Sequence, residues 1–121
     1  MNMMQVQEDL RGLPQVIPRI DHRFCGGIYS RTLHIDAGVM LEGGLHVTHH
    51  PYIVSMGRIL VMHGDENVII QAPYQGETKP GDKRFIFAYE YSIFTTFHAT
   101  DLTDIKEIER SILGEELWHI G

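Results

Sequence analysis

The sequence is poor in cysteine and in positive charge. Its single cysteine, Cys25, excludes an intrachain disulfide and a zinc–thiolate cluster, so neither can stabilise the fold. Lys and Arg number 10 against 16 Asp and Glu, which gives a net charge of −6 with neutral histidines. Because non-specific nucleic-acid binding depends on Lys and Arg that neutralise phosphates, we expect no nucleic-acid partner.

Long apolar runs are also missing. No stretch approaches the roughly 20 apolar residues of a membrane-spanning helix. Residues 1–10 carry two acids and no base, unlike a secretory signal. We therefore expect a cytoplasmic protein without a membrane partner. The 121 residues, 43% of them hydrophobic, predict a single domain with one core.

Short β-rich segments separated by turn residues make up most of the chain. The segment 28–35 is rich in β-branched and aromatic residues and ends at an Asp-Ala-Gly turn. Residues 74–83, which contain two glycines and a proline, predict a loop. Further strands are predicted at 39–41, 52–56, 58–62, 68–72, 84–89 and 92–98, with an edge strand around Gln15–Ile20. A spacing of about ten residues between strands predicts an all-β sandwich or small barrel.

One helix is predicted near the C-terminus. Asp104 and Glu107 have the spacing of a capping box, and Gly114 is placed as a C-terminal cap. Apolar residues recur at helical spacing, at Ile105, Ile108, Ile112 and Leu113. The predicted organisation is an N-terminal arm, residues 1–21, followed by a barrel with its helix, residues 22–121, in which the helix covers about 101–114.

Three of the eight histidines lie between two glycines, in the segment 44–57. Imidazole is the commonest protein ligand for divalent transition metals, since its neutral form offers one lone pair. Pro51 and the flanking glycines exclude a helix here, so strands are expected. Side-chain alternation then places His46, Thr48 and His50 on one face and His49 on the other.

These residues resemble the first sequence motif of the cupin family. That motif has two histidines separated by one residue, a glutamate four residues later and a glycine seven residues after the glutamate. In this chain Gly44 and His46 occupy the two histidine positions, His50 the glutamate position and Gly57 the closing glycine. The spacing of the motif fits, while the residues at two of its metal-ligand positions differ.

The second cupin motif has a proline-glycine turn and a histidine three residues after the glycine. Here Pro80-Gly81 forms the turn, and Arg84 stands where the histidine would be. An arginine stays protonated and has no lone pair to give, so it repels a metal and attracts an anion.

A narrower resemblance covers most of the chain, from His22 to Leu113, and is to the small cupin proteins of tailed bacteriophages. It is carried by His22-Arg23-Phe24, 27–31, Ala37-Gly38, His46 with His50, Ala72-Pro73-Tyr74, Lys79-Pro80-Gly81 with Arg84, and 95–98 with the closing helix. The resemblance implies a double-stranded β-helix barrel of the RmlC-like cupin superfamily. It also implies a protein of the infected bacterial cytoplasm or of the virion. Cupin barrels host enzymes and binding proteins, so the fold does not give the function.

Two sets of inward-facing residues are candidates for a site. His46, His50 and His98 are the candidate ligands of a divalent metal, for which zinc, iron, nickel and manganese are all suitable. No phosphate-binding glycine loop is present, so no nucleotide cofactor is expected. The candidate contacts for a small polar or anionic ligand are Tyr29, Arg31, Gln71, Tyr74 and Arg84. The alternative for the two arginines is salt bridges with Glu90 or other acids at the barrel rim.

Two functions follow from these candidates. The favoured hypothesis is a non-enzymatic ligand-binding or structural protein, because the first motif lacks the carboxylate common in oxygen-activating iron sites. The alternative is a metal-dependent isomerase, lyase or oxygenase acting on a small polar substrate. A homodimer or higher homo-oligomer is expected, because the segment containing Val16, Ile17 and Ile20 can add to a neighbouring sheet edge.

Overall fold

The computed structural model describes residues 18–42, 48–63, 65–79, 81 and 84–113. Within these ranges the chain forms a five-stranded antiparallel sheet of order β1-β2-β9-β4-β7 and a four-stranded sheet of order β3-β8-β5-β6. The strands are β1 (Arg19–Cys25), β2 (Ile28–Ile35), β3 (Met40–Glu42), β4 (His50–Met56), β5 (Arg58–His63), β6 (Glu66–Gln71), β7 (Tyr74–Thr78), β8 (Phe85–Ala88) and β9 (Ser92–Ala99). One helix, α1 (Ile105–Leu113), follows the last strand. The all-β barrel with a C-terminal helix is therefore confirmed.

Strict alternation builds the inner face of the five-stranded sheet. In β2 every second residue from Tyr29 to Ile35 is buried, and in β9 the same holds from Ser92 to His98. Alternate side chains of a strand point to opposite faces, so each of these strands turns one face inward and the other toward solvent. The core between the two sheets lies on the inner faces.

The interior changes from apolar to polar along the strands of this sheet. Leu33 of β2 lies opposite Phe94 of β9, which in turn lies opposite Val54 of β4. All three belong to the main apolar cluster. Four residues further along β2 and β9, Tyr29 lies opposite His98. Of the buried polar side chains of this sheet, all except Ser92 therefore lie toward one end of the barrel.

The loop predicted at 74–83 is wrong in its first half, because Tyr74–Thr78 forms β7 and pairs with β4. Gly76, taken as a sign of a loop, lies opposite Tyr52 in this pairing. A β-carbon on Gly76 would come within 2.6 Å of the Tyr52 hydroxyl. The glycine therefore makes room for a buried aromatic ring and does not form a turn.

The first described strand overlaps the predicted edge strand only at Arg19 and Ile20. β1 runs over Arg19–Cys25, pairs along its length with β2 and crosses the proposed boundary at residue 21. Residues 1–17, which include most of the predicted strand around Gln15–Ile20, lie outside the described residues. The division into arm and barrel stays a prediction.

The helix begins as its capping signal predicts. The backbone N–H of Glu107 donates to Oδ1 of Asp104 over 3.0 Å, and Ile108 is fully buried. Gly114, the predicted C-terminal cap, lies outside the described residues. Among the residues that the structure describes, no helix is long and apolar enough to cross a membrane.

Candidate functional site

Two histidines lie side by side at the polar end of the barrel. The ring centroids of His50, from β4, and His98, from β9, are 4.3 Å apart. The two residues are only 3% and 6% exposed. Adjacent inward-facing positions on neighbouring strands produce this contact, as alternation predicts for both residues.

Each ring is held by a threonine two residues away. Nδ1 of His50 is 3.3 Å from the hydroxyl of Thr48, and Nε2 of His98 is 2.8 Å from the hydroxyl of Thr96. A hydrogen bond at one ring nitrogen fixes the orientation of the ring and directs the other nitrogen at a ligand. A metal would therefore be held through Nε2 of His50 and Nδ1 of His98.

A cavity of about 260 Å³ adjoins the histidine pair. It is lined by Thr48, His49, His50, His98, Ala99, Thr100 and Ser111. The side chain of His49 is 57% exposed, and its Nε2 lies 3.1 Å from Glu77 Oε2. His49 therefore contributes to the cavity from the solvent side, whereas its neighbour His50 is buried.

Tyr29 extends the polar cluster on the side of β2. Its ring is fully buried and stacks on His98, with centroids 5.7 Å apart. Its hydroxyl lies 2.6 Å from Nδ1 of His22. Burial raises the pKa of Tyr29, and burial together with the positive charge of Arg31 lowers the pKa of His22. A neutral His22 ring can accept a hydrogen bond from the tyrosine hydroxyl through Nδ1.

A buried ion pair lies next to this cluster. Nη1 of Arg31 is 3.2 Å from Oε1 of Glu109, and the two side chains are 6% and 8% exposed. Arg31 lies opposite Thr96, the residue that hydrogen-bonds His98. The rim salt bridge considered for Arg31 is thus a buried contact with the helix.

The remaining candidate contacts do not lie at the histidine pair. Arg84 donates to the backbone carbonyl of Glu77 over 3.0 Å, and its guanidinium lies 5.3 Å from the centroid of the Tyr52 ring. Arg84 and Tyr74 line a second opening, of about 120 Å³. Gln71 is exposed and donates to the carbonyl of Gly57 over 3.3 Å. The five candidate contacts therefore do not line one common opening of the barrel.

The third predicted metal ligand, His46, lies outside the described residues. Within the described ranges no group of three His, Cys, Asp or Glu side chains is arranged to hold a metal ion. Two buried imidazoles held by threonines suit a divalent transition metal, and they would supply two of its ligands. A site of three imidazoles depends on His46 and stays a prediction.

Sequence reasoning missed Glu109 and Thr96, and it placed Thr48 on the face of His50 without giving it a role. Glu109 sits next to Ile108, whose burial turns that side of α1 toward the barrel. The sequence signal for a buried Glu109 was the position of Ile108 in the apolar stripe, because a glutamate on a helix is otherwise expected to be exposed. Thr96 shares an inward face with His98 in β9, a relationship that the period of two predicts as it does for Thr48 and His50.

Comparison with known proteins identifies the fold and no closer relationship. No protein-family model and no curated protein sequence matches the chain. A cupin-2 domain protein from Shewanella frigidimarina matches with a TM-score of 0.52 and 17% identity, over 78% of this chain and 91% of that one. A cupin 2 conserved barrel protein from Salinispora arenicola gives 0.58 and 14%, over 85% and 90%.

A larger protein also contains this barrel. Salicylate 1,2-dioxygenase from Pseudaminobacter salicylatoxidans matches 93% of this chain with a TM-score of 0.64 and 12% identity. The match spans only 36% of the dioxygenase. At such identities the likeness shows the fold alone, and that fold is the cupin barrel.

Proposed function

We propose that this protein is a cupin-type binding protein that holds a divalent transition metal, with a small polar or anionic ligand, at the polar end of its barrel. The observation that carries the proposal is the contact between His50 and His98. The rings lie 4.3 Å apart, are almost fully buried and border a cavity of about 260 Å³. Neutral imidazole nitrogens are common ligands of divalent transition metals, and here two imidazoles lie side by side next to a cavity.

The protein residues have separate tasks in this proposal. His50 and His98 are the two metal ligands that lie among the described residues, and His46 is the predicted third ligand. A bound metal would supply a positive charge that attracts donor atoms of the ligand. Thr48 and Thr96 hold the imidazole rings in orientation, so that less rotational freedom is lost on binding.

A binding role is favoured over catalysis because a buried acidic side chain near the His50–His98 pair is already ion-paired. The buried carboxylate of Glu109 is engaged with Arg31, and the carboxylate of Glu77 lies 3.1 Å from Nε2 of His49. A general base needs a carboxylate or imidazole within hydrogen-bond reach of the substrate proton. An ion-paired carboxylate is a weak base, which favours a binding role.

The second candidate function is a metal-dependent enzyme acting on a small polar substrate. It is favoured by the match of the barrel to a salicylate 1,2-dioxygenase. The phage origin, the cytoplasmic or virion location and the homo-oligomer stay predictions. The similar structures named above are from bacteria and add nothing to the phage resemblance.

Metal analysis of protein purified without a histidine tag tests the proposal. We expect about one equivalent of zinc, iron, nickel or manganese to remain after loading and gel filtration. Dioxygen uptake by the iron-loaded protein with salicylate present would favour the enzyme. Metal retention without uptake would favour the binding protein, and no retention of any of the four metals would contradict both.

A further inference from the structure

A chain of hydrogen bonds joins three titratable side chains on the outer face of the five-stranded sheet. Oη of Tyr91 lies 2.6 Å from Nδ1 of His34, and Nε2 of the same ring lies 2.8 Å from Oδ2 of Asp21. Both ring nitrogens of His34 are therefore engaged, and its side chain is only 13% exposed. This Asp21–His34–Tyr91 array contains none of the candidate metal ligands.

Strand pairing brings the three residues together. His34 lies between two buried residues of β2, so its side chain points away from the core. Asp21 of β1 is opposite Thr32, which precedes His34 by two residues and shares its face. Tyr91 immediately precedes β9, the other neighbour of β2 in the sheet. The array therefore lies at the end of β2 away from the histidine cavity.

The direction of the two hydrogen bonds follows from the charge of Asp21. Its pKa is lowered by the hydrogen bond from Arg19, 3.1 Å away, and then by the one from His34. An ionised carboxylate only accepts hydrogen bonds, so Nε2 of His34 donates to it. The neutral ring then has its lone pair on Nδ1, where it accepts a hydrogen bond from the Tyr91 hydroxyl.

This arrangement is typical of an activated nucleophile. In such a site a hydroxyl lies within hydrogen-bond reach of a base, and a third group orients the base. Tyrosine is among the side chains that form covalent intermediates. The imidazole of His34 can take the hydroxyl proton while the tyrosine oxygen attacks, and Asp21 stabilises the imidazolium that forms.

An opening of about 180 Å³ gives access to the array. Arg19, His34 and Tyr91 line it, together with the apolar side chains of Pro18 and Val39. Its volume is below the roughly 300 Å³ at which usual ligand pockets begin, so only a small molecule fits. The guanidinium of Arg19 has five N–H donors and can stabilise the negative charge that develops on a carbonyl oxygen under attack.

We propose that Tyr91 is a nucleophile, activated by His34 and Asp21, that takes the acyl group of a small carboxylic ester bound at this opening. The tyrosine oxygen bonds to the carbonyl carbon, its proton passes to Nδ1 of His34, and the bond to the alcohol oxygen breaks. The alcohol leaves with that proton, and Tyr91 carries the acyl group as an aryl ester. Water then attacks this ester and gives its proton, through His34, to the departing tyrosine oxygen, which releases the carboxylic acid.

The proposed activity goes beyond the metal-binding function and does not depend on it, because the two use different residues at opposite ends of β2. His34 is the general base of the reaction and Asp21 is a positioning residue, since Asp21 acts through the imidazole. Acetyl is an acyl group small enough for the opening, so 4-nitrophenyl acetate is a suitable probe. The tyrosine ester is less activated than the nitrophenyl ester, so the acetylated protein should accumulate in a burst.

Acetylation of the full chain by 4-nitrophenyl acetate tests the proposal. The exposed thiol of Cys25 can react with the same ester, so every protein carries Cys25→Ser. Tyr89 is the internal control, because it is 41% exposed against 40% for Tyr91 and contacts Arg58 and Phe87. Peptide mass spectrometry should show Tyr91 acetylated at least about tenfold faster than Tyr89. This comparison is made within one protein and needs no further variant to fold.

Variants on the same background assign the roles. Tyr91→Phe should lose the burst of 4-nitrophenolate, whereas Tyr89→Phe should keep it. His34→Gln removes the base and should slow acetylation of Tyr91 at least about tenfold. Asp21→Asn removes the charge that stabilises the imidazolium and should also slow it, and Asp21→Glu should restore part of the rate.

The result that overturns the proposal is equally direct. Equal acetylation of Tyr91 and Tyr89, an unchanged rate in His34→Gln or in Asp21→Asn, or a burst retained by Tyr91→Phe would each contradict it. The array would then serve only to join β1 to the rest of the sheet.

Discussion

The rings of His50 and His98 lie 4.3 Å apart inside the barrel, although their strands, β4 and β9, are far apart in the sequence. The two strands are neighbours in the five-stranded sheet, and both residues face inward. A contact of this kind joins a residue of the first cupin-like motif to one that belongs to neither motif. The candidate site of this chain therefore includes a position outside the two cupin motifs.

The first prediction concerns stability against pH. Burial and the charge of Arg31 lower the pKa of His22, so the unfolded chain binds a proton more readily than the folded one. The resulting stability is fully present above the ordinary histidine pKa of 6.5 and is lost as the pH falls toward the lowered value. We expect the urea midpoint to fall between pH 7.5 and pH 5.5, and to fall less in His22→Gln. An identical fall in both proteins would contradict this assignment.

The second prediction concerns Gly57, the closing glycine of the first motif. Its φ is +90°, and an added β-carbon would overlap the hydroxyl of Ser92 and the carbonyl of Tyr91. Gly57→Ala should lower the free energy of unfolding by about 3–5 kcal/mol. Gly38→Ala is the matched control, because Gly38 has a φ of +84° and open space around it. It should lose only about 1–2 kcal/mol, and equal losses in urea denaturation would refute the packing explanation.

The third prediction concerns the energetics of the Arg31–Glu109 pair. Arg31→Met alone leaves the Glu109 carboxylate buried without its cation, and should lower the free energy of unfolding by about 3–5 kcal/mol. The double variant Arg31→Met/Glu109→Leu removes both charges and should recover most of that loss. Losses in denaturant unfolding that simply add in the double variant would show that the two side chains are not coupled.

The fourth prediction concerns assembly. β1 lies at an edge of the five-stranded sheet, where its outer backbone groups can pair with another chain. We expect a homodimer or higher homo-oligomer. Light scattering on the full chain should give a mass well above the 13.9 kDa of one chain. A mass of one chain over a wide range of concentration would exclude this assembly.

Local patterns predicted the strands well where alternation is regular. β2 was predicted with the bounds that the structure shows, Ile28–Ile35, because β-branched and aromatic residues coincide there with a strict period of two. β7 was missed because Gly76 and the later Pro-Gly pair gave the segment the composition of a loop. The glycine is required by Tyr52 of the neighbouring strand, and a single-segment pattern contains no information about that neighbour.

The candidate site was predicted only in part for the same reason. Alternation predicted which residues share a strand face, and together with the cupin resemblance it placed His50, His98, Tyr29 and Arg31 inside the barrel, where all four are buried. The contact of Arg31 with Glu109 depends on where α1 packs, and the separation of Arg31 from Arg84 depends on how the two sheets close. Such relationships arise from packing between distant segments, so no local pattern predicts them.

The contrast between two adjacent histidines tests the central claim most directly. Calorimetric titration of zinc into tag-free wild type, His50→Ala and His49→Ala compares a buried ring beside His98 with an exposed ring beside Glu77. His50→Ala should weaken zinc binding at least tenfold, because it removes a ligand. His49→Ala should bind as the wild type does, and binding should weaken below pH about 6.5, where imidazole becomes protonated. Unchanged binding by His50→Ala, or loss of binding in His49→Ala alone, would contradict a metal site built on His50 and His98.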